Sequence, residues 1–341
     1  MRYEFGICGA FDFEEKYTGG QSVKTREFYF ALCTSVGREN IHILESTLYK
    51  KNPLSFLFKF IYMLMNCRHT IIFPAQNGIK VFAPICSLLK INTNIHYCVI
   101  GGWLPEKLRK DKKLLKYVKT FKSVLVETSV MKKQLEELGL NNVYKLVNFK
   151  QLQPINTINN ISSPVKLCFF SRVVKEKGIE DAIQVVKKVN EQKIRCIFDI
   201  YGPIVEEYKN QFEIVKKAFT EEIRYMGKIN PTESISVLKN YDIQLFPTQY
   251  ETEGIPGSII DSYFAGLPVI ASKWNSYSDV IIDGVTGVGF SLGNISEFEL
   301  CLRSLLDDPQ RIIDMKYNCL VKAEEYLPKT AIELFLEIIN K

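Results

Sequence analysis

The sequence has few histidines and no closely spaced pair of cysteines. Only three histidines occur in 341 residues, and none has a second ligand at the spacing that zinc sites use. The nine cysteines include no CxxC pair. Unpaired cysteines of this kind are typical of a reducing compartment. We therefore expect neither a structural zinc site nor a disulfide framework.

Long hydrophobic runs are also absent. The longest apolar stretch, residues 54–65, is interrupted by Lys59. It is shorter than the roughly 20 residues that a membrane-spanning helix needs. The N-terminus runs directly into a strand-like segment, residues 3–8, and not into the apolar core of a signal peptide. We therefore expect a cytoplasmic protein.

Positive charge is concentrated in the first half of the chain. Residues 1–150 contain 23 Lys and Arg against 12 Asp and Glu. Residues 106–122 alone contain eight basic and two acidic residues, and residues 49–60 combine three lysines with leucines and phenylalanines. Such helices can lie on an anionic membrane, although they can equally be solvated outer faces. We expect peripheral contact with the inner face of the plasma membrane and no nucleic acid, because no nucleic-acid motif accompanies the charge.

Strand-like and helix-like segments alternate along most of the chain. This alternation predicts an α/β protein with parallel, doubly wound sheets, and the length predicts two domains. A polar stretch rich in Asn, Ser and Pro, residues 151–164, is the predicted linker. Single helices are predicted over residues 106–119 and 206–218.

The most informative stretch is residues 244–272. A buried strand ends at Pro247, a polar loop follows, and apolar residues then recur at helical spacing after Ser258. A loop thus opens onto a helix start at a strand end, which is where open α/β sheets bind ligands. Free backbone N–H groups at such a helix start attract phosphate. The predicted free N–H groups belong to Gly257, Ser258 and Ile259, since Pro256 has none.

Two acidic residues flank this helix start. Glu253 and Asp261 lie eight residues apart and could both hold sugar hydroxyls. A charge-compensating role at the helix start is the alternative for Asp261. Two further loops follow strands of the second half and could contact a base through their backbone. These loops contain Gly202 and Lys228.

Four segments resemble, in order, the motifs of retaining family 4 glycosyltransferases of the kind found in bacterial surface polysaccharide biosynthesis. Residues 253–261, EGIPGSIID, with the following AGLPVIAS, resemble the donor-site signature. Residues 170–178, FSRVVKEKG, resemble the basic motif of the family. Gly19 and Gly20 fit its N-terminal glycine loop, and residues 283–287, DGVTG, fit the turn after the donor site.

The resemblance implies a GT-B fold, in which two Rossmann-like doubly wound domains face each other across a cleft. Residues 1–152 would form the acceptor-binding domain and residues 153–325 the donor-binding domain. Residues 326–341 would form a helix that packs back on the first domain. The donor would be a UDP- or GDP-sugar, with no other cofactor.

The resemblance also assigns roles to the candidate residues. Arg172 and Lys177 would clamp the donor diphosphate, Glu253 would bind the donor sugar, and Asp261 would bind the ribose. No acidic DxD triplet is present, so the leaving diphosphate would be stabilised without a metal. No enzymic nucleophile is nominated, because the leaving phosphate oxygen would act as the base.

These expectations describe a retaining, metal-independent glycosyltransferase. It would move a sugar from a nucleotide-diphosphate sugar to a glycan or to a polyprenyl-diphosphate-linked glycan. Two alternatives stay open, a nucleotide-sugar epimerase and a non-catalytic subunit of the same fold. An epimerase would need acid–base residues in the cleft, whereas a non-catalytic subunit would have no use for Arg172, Lys177 and Glu253.

Overall fold

The chain folds into two compact units. The structure is a computed structural model that describes residues 2–13, 20–89, 91 and 94–340. One unit comprises residues 1–151 and 325–341, and the other comprises residues 152–324. Over the described ranges, no helix combines the length and the apolar character needed to cross a membrane.

The first unit is built on a six-stranded sheet in the order β2-β1-β3-β4-β5-β6, in which every neighbouring pair is parallel. Its strands are β1 (Tyr3–Gly9), β2 (Ile41–Glu45), β3 (Cys67–Ile72), β4 (Ile95–Cys98), β5 (Ser123–Val126) and β6 (Val143–Lys145). Its helices up to the first domain boundary are α1 (Gly20–Val36), α2 (Leu48–Lys51), α3 (Pro53–Asn66), α4 (Ile79–Leu89), α5 (Leu104–Lys110), α6 (Lys112–Val118) and α7 (Ser129–Glu137).

The second unit has a parallel sheet of six strands in the order β12-β11-β10-β7-β8-β9. Its strands are β7 (Val165–Phe170), β8 (Cys196–Tyr201), β9 (Ile223–Gly227), β10 (Ile243–Phe246), β11 (Val269–Ser272) and β12 (Gly287–Phe290). Its helices are α8 (Ile179–Asn190), α9 (Lys209–Lys216), α10 (Ser234–Leu238), α11 (Gly257–Phe264), α12 (Tyr277–Val280), α13 (Ile295–Leu306) and α14 (Pro309–Ala323). The predicted α/β fold with two parallel doubly wound sheets is confirmed.

The last helix, α15 (Pro328–Ile339), packs on the first unit. The ring of Phe335 lies 6.3 Å from the ring of Phe5 on β1 and 5.0 Å from the ring of Phe28 on α1. These residues belong to one buried apolar cluster on one face of the first sheet. Burial of this apolar face holds the end of the chain on the N-terminal sheet.

Two predicted helices are interrupted. The helix expected over residues 106–119 ends at Lys110 and restarts at Lys112. The reason is Asp111, whose carboxylate accepts a hydrogen bond from the backbone N–H of Leu114 and caps the second helix. The helix expected over residues 206–218 is a short 3-10 turn followed by α9.

All but the first residue of the predicted linker belong to the second unit. The N–H of Ile155 donates to the carbonyl of Phe264 at 2.8 Å. The N–H of Ser162 donates to the carboxylate of Asp242 at 3.2 Å. Polar groups of this stretch therefore form hydrogen bonds with the second unit, and the stretch is not a flexible linker.

The strand order of the second sheet fixes where a ligand can bind. The chain runs outward from β7 through β8 to β9, and then returns to the other side of β7 for β10. Connections on the two sides of this reversal diverge and leave a crevice at the carboxyl ends of β7 and β10. Most of the predicted site residues follow one of these two strands.

Candidate functional site

Lys177 and Glu253 meet at the carboxyl ends of β7 and β10. The ammonium group of Lys177 donates a hydrogen bond to Oε1 of Glu253. The hydroxyl of Thr248 donates to the same oxygen at 3.2 Å. The side chain of Lys177 is only 9% exposed, so the carboxylate compensates a charge that burial would otherwise disfavour.

Two aromatic rings also contact the lysine. Its Nζ lies 5.1 Å from the ring centre of Phe246 and 5.3 Å from that of Tyr250. Both distances allow a cation–π attraction. Burial and then the negative charge of Glu176 raise the pKa of the Tyr250 phenol. Tyr250 therefore stays protonated and can act as a hydrogen-bond donor at the edge of this site.

A glycine allows the two loops to touch. Gly178 has φ of 71°, and a Cβ at this position would lie 1.9 Å from the carbonyl oxygen of Pro247. Real Cβ atoms do not approach backbone so closely, and the positive φ favours glycine further. The turn after β7 and the loop after β10 can pack together only because residue 178 has no side chain.

Gln249 fastens the same two loops by two hydrogen bonds. Its backbone N–H donates to the carbonyl of Glu176 at 2.7 Å, and its side-chain amide donates to Asp181 at 3.0 Å. Burial raises the pKa of Asp181, while the bond from Gln249 opposes that rise. These bonds hold the loop in the conformation that brings Glu253 to Lys177.

Arg172 lies on the same edge, directly after β7. Its side chain is exposed and forms no ion pair with any residue in the described ranges. Its positive charge lowers the pKa of Tyr250 against the larger effect of burial. Three residues were predicted to act on the leaving group and donor sugar, namely Arg172, Lys177 and Glu253. All three therefore interact electrostatically with one aromatic side chain, Tyr250.

The start of α11 only partly fits its prediction. Gly257 and Ser258 are half-buried, and their backbone N–H groups have no backbone partner within the described residues. The N–H of Ile259, predicted to be free, instead donates to the carbonyl of Pro256 at 3.0 Å. This bond closes the first turn of the helix, so Ile259 cannot offer that N–H to a ligand.

Asp261 and the two candidate base-contact residues occupy different surroundings. Asp261 is buried on α11, with 3% of its surface exposed. Gly202 has φ of 143°, and a Cβ there would lie 1.8 Å from the carbonyl oxygen of Ser171, so Gly202 packs directly against the turn containing Arg172. Lys228 is exposed and follows β9, two strands away from β7.

The glycine loop lies on the first unit. Gly20 is the first residue of α1, and a Cβ there would meet open space. Gly19 lies outside the described residues. Among the residues that the structure does describe, no group of three or more His, Cys, Asp or Glu side chains is arranged to hold a metal ion.

Thr248, Gln249 and Tyr250 were not among the predicted site residues. All three lie in the polar loop after β10. Gln249 and Tyr250 contact the turn after β7, whereas Thr248 bonds Glu253 within its own loop. Their position between a strand end and the EGIPG segment is the one sequence feature that could have identified them as site residues. That signal does not show which side chain would turn toward Lys177.

Comparison with known proteins finds the strongest similarity in the second unit. The family model described as "Glycosyl transferases group 1" matches residues 153–320. A glycogen synthase of Mycobacterium tuberculosis is 25% identical over 148 residues, which are 43% of this chain and 35% of that protein. The chain thus spans about a third of the length of that relative.

Two similarities extend over most of the chain. A capsular polysaccharide biosynthesis glycosyltransferase, CapH of Staphylococcus aureus, is 21% identical over 304 residues, which are 79% of this chain and 82% of that protein. The crystal structure of HepE from Anabaena, solved with UDP and glucose, has a TM-score of 0.74 and 13% identity, and covers 99% of this chain and 100% of its own. The chain therefore shares its fold with HepE, and its residues 153–320 match the family model of the glycosyl transferases group 1.

Proposed function

We propose that the protein is a retaining, metal-independent glycosyltransferase. It transfers a sugar from a UDP- or GDP-sugar to a glycan or a lipid-linked glycan in the synthesis of a surface polysaccharide. The observation that carries this proposal is the buried Lys177–Glu253 pair at the reversal of the strand order. It places a cation and a carboxylate together at the edge where this fold binds ligands.

Lys177 and Arg172 supply positive charge for the leaving group. When the bond from the sugar to the diphosphate breaks, negative charge grows on the phosphate oxygen that leaves. Preorganised donors stabilise such charge most strongly where water is excluded. Lys177 is buried and held by its contacts, Arg172 is exposed beside it, and the N–H groups of Gly257 and Ser258 open the neighbouring helix. Two cations and two N–H groups offer this stabilisation without a metal.

Glu253 is suited to binding the donor sugar and not to attacking it. One of its oxygens already accepts hydrogen bonds from Lys177 and Thr248. A carboxylate engaged in this way is a poor nucleophile, but its second oxygen can accept a bond from a sugar hydroxyl. Glu253 is therefore not the nucleophile. In the proposed retaining reaction, the leaving phosphate oxygen accepts the proton of the incoming hydroxyl on the same face.

The relatives support the donor and the setting. HepE was crystallised in complex with UDP and glucose, and CapH is described as acting in capsular polysaccharide biosynthesis. A UDP-sugar is therefore the first donor to test, with GDP-sugars second. Asp261 is proposed to bind the ribose through α11, and Gly202 and Lys228 the base.

We also propose that the first unit meets an anionic membrane through one face of α3. Leu54 and Phe58 on this helix are 71% and 72% exposed, and Tyr62 and Met65 continue the same stripe. Exposed lysines at positions 50, 51 and 59 flank it. On α5 and α6, by contrast, the leucines are buried and the exposed residues are charged, Glu106 among them. The stripe on α3 is the surface with both properties that an interfacial helix needs.

The proposal is tested by incubating the full chain with UDP- and GDP-hexoses in the presence of EDTA. Without an acceptor, a glycosyltransferase hydrolyses the donor slowly and releases nucleotide. With an acceptor, it releases nucleotide faster. An epimerase would change the sugar without releasing nucleotide, and a non-catalytic subunit would do neither. Activity that requires an added divalent cation would refute metal independence, and inversion at the anomeric carbon, followed by NMR, would refute retention.

A further inference from the structure

The first unit contains a buried ion pair that the donor site does not use. Nζ of Lys24 on α1 lies 2.5 Å from Oε1 of Glu127, and the two side chains are 8% and 5% exposed. The same Nζ donates to the carbonyl oxygen of Val99 at 3.0 Å. Val99 and Glu127 directly follow β4 and β5. The pair therefore lies at the carboxyl edge of the first sheet.

The neighbouring side chains form one polar strip along this edge. Gln21, one helical turn before Lys24, donates its side-chain amide to the carbonyl of Phe73, directly after β3, at 2.8 Å. Residues three apart share one face of a helix. The first turns of α1 thus cross the ends of β3, β4 and β5 with an amide and a cation facing the strand ends.

A second buried lysine–carboxylate pair provides an internal comparison. Lys316 lies 2.9 Å from Asp242 and also donates to the carbonyl of Tyr241, and both side chains are 2% exposed. Asp242 directly precedes β10, at the amino edge of its sheet, and accepts two backbone N–H bonds. This pair fastens backbone at an edge where parallel sheets do not bind ligands.

The contrast points to different roles for the two pairs. Both bury a cation against a carboxylate and a backbone carbonyl, but only Lys24–Glu127 lies where ligands bind. A buried ion pair is seldom more stabilising than well-packed apolar residues, so stability alone gives little reason for its presence. A carboxylate beside an ammonium group matches the acceptor and donor needs of adjacent sugar hydroxyls.

We propose that Lys24 and Glu127 bind hydroxyl groups of the acceptor glycan on the first unit. This inference rests on the proposed function, since it assigns the second substrate of the same transfer. Glu127 accepts a hydrogen bond from an acceptor hydroxyl, and Lys24 keeps that carboxylate ionised and oriented. Their proposed role is in binding the acceptor alone.

The test separates transfer from donor hydrolysis. Full-length wild type and variants are given the UDP- or GDP-hexose that wild type hydrolyses, with and without a panel of octyl glycosides of common bacterial hexoses as acceptors. Glu127→Gln is expected to lower kcat/KM for transfer by about 10- to 100-fold, the effect of losing a charged hydrogen bond. Its rate of donor hydrolysis in water stays within about threefold of wild type.

A double variant distinguishes binding from packing. Lys24→Met with Glu127→Leu removes both charges and leaves no unpaired ion, which is often neutral for stability. If the pair has only a structural role, the double variant should regain both the melting temperature and the transfer rate of wild type. If the proposal is right, the double variant regains its melting temperature but transfers as poorly as Glu127→Gln. The matched control, Lys316→Met with Asp242→Leu, is expected to change hydrolysis and transfer by the same factor.

Several results would overturn the inference. The first is that Glu127→Gln transfers sugar within about threefold of the wild-type rate. The second is that the double variant regains transfer. The third is that Glu127→Gln loses hydrolysis and transfer by the same factor. Wild type that hydrolyses the donor but glycosylates none of the panel would reject glycan hydroxyls as the ligand class. Wild type that neither binds nor hydrolyses any nucleotide sugar would instead refute the proposed function itself.

Discussion

The ammonium group of Lys177 donates a hydrogen bond to the carboxylate of Glu253, which lies 76 residues further along the chain. The first residue follows β7 and the second follows β10, so the bond forms only when these two strands lie side by side. The rings of Phe246 and Tyr250 hold the lysine in the same place. The chemistry assigned to the site depends on this one contact between two loops.

Removal of the lysine should remove turnover. Lys177→Met is expected to slow the release of nucleotide from the donor by about 100- to 1000-fold, because a preorganised donor to the leaving phosphate is lost. Lys175→Met is the matched control, since Lys175 is exposed on the same turn. Coupled assay of released nucleotide measures both variants, and near-normal release by Lys177→Met would refute the assigned role.

The close approach at Gly178 should be sensitive to one added carbon. Gly178→Ala brings a Cβ against the carbonyl of Pro247 and must move the loop that contains Glu253. Gly293→Ala is the control, because φ is 75° there but a Cβ would meet open space. The control is expected to cost about 1 kcal/mol of unfolding free energy and Gly178→Ala about 1–3 kcal/mol more. Urea unfolding checks this order, and equal losses would contradict it.

A buried histidine should make the first unit less stable in acid. Burial, and then the charges of His69 and Lys122, lower the pKa of His96 to about 3. The unfolded value is about 6.5, so between these limits the unfolded chain binds a proton that the folded chain does not. Stability contributed by His96 is therefore present above about pH 6.5 and falls as the pH drops toward 3, by up to about 1.4 kcal/mol per pH unit.

The variant His96→Asn tests that pH dependence. Its unfolding free energy, measured by denaturant titration over the weakly acidic range, is expected to fall less steeply with decreasing pH than that of wild type. His96 also bonds His69 and Ser123, at 3.0 and 2.8 Å, so the variant is less stable at neutral pH. The slope, not the absolute stability, is the readout, and an unchanged slope would contradict the prediction.

Membrane contact through α3 should depend on its exposed apolar stripe. Leu54→Ser combined with Phe58→Ser is expected to weaken co-sedimentation with phosphatidylglycerol liposomes by about tenfold, because two exposed apolar side chains no longer insert. Leu300→Ser is the control, since Leu300 is 66% exposed on α13 of the other unit. Wild type that fails to sediment at low salt would reject the membrane proposal entirely.

Much of the fold could be predicted because the signals are local. Alternating buried strands and amphipathic helices can be recognised from short windows of sequence. The break at Asp111 was missed because the surrounding residues are good helix formers. The capping bond to Leu114 overrides that propensity. The short strand β12 is absent from the predicted elements, because Gly287 and Gly289 weaken its strand pattern.

The site residues could be predicted from spacing and motif, but their contacts with one another could not be predicted. Nothing in the sequence shows that Gln249 bonds both Glu176 and Asp181, or that the N–H of Ile259 is used by Pro256. These contacts join segments far apart in the chain or depend on the path of one turn. The Lys24–Glu127 pair could not be predicted for the same reason, since its two residues are 103 positions apart in the sequence.

Donor binding and turnover by wild type and two variants give the sharpest test of the proposed chemistry. Isothermal titration with UDP-glucose, UDP-N-acetylglucosamine and GDP-mannose would be followed by assay of nucleotide release with EDTA present. We predict that wild type binds and hydrolyses at least one donor, while Lys177→Met and Glu253→Gln each lose turnover by about 100-fold or more. Wild type that binds none of them at millimolar concentration, or variants that turn over normally, would contradict the proposed chemistry.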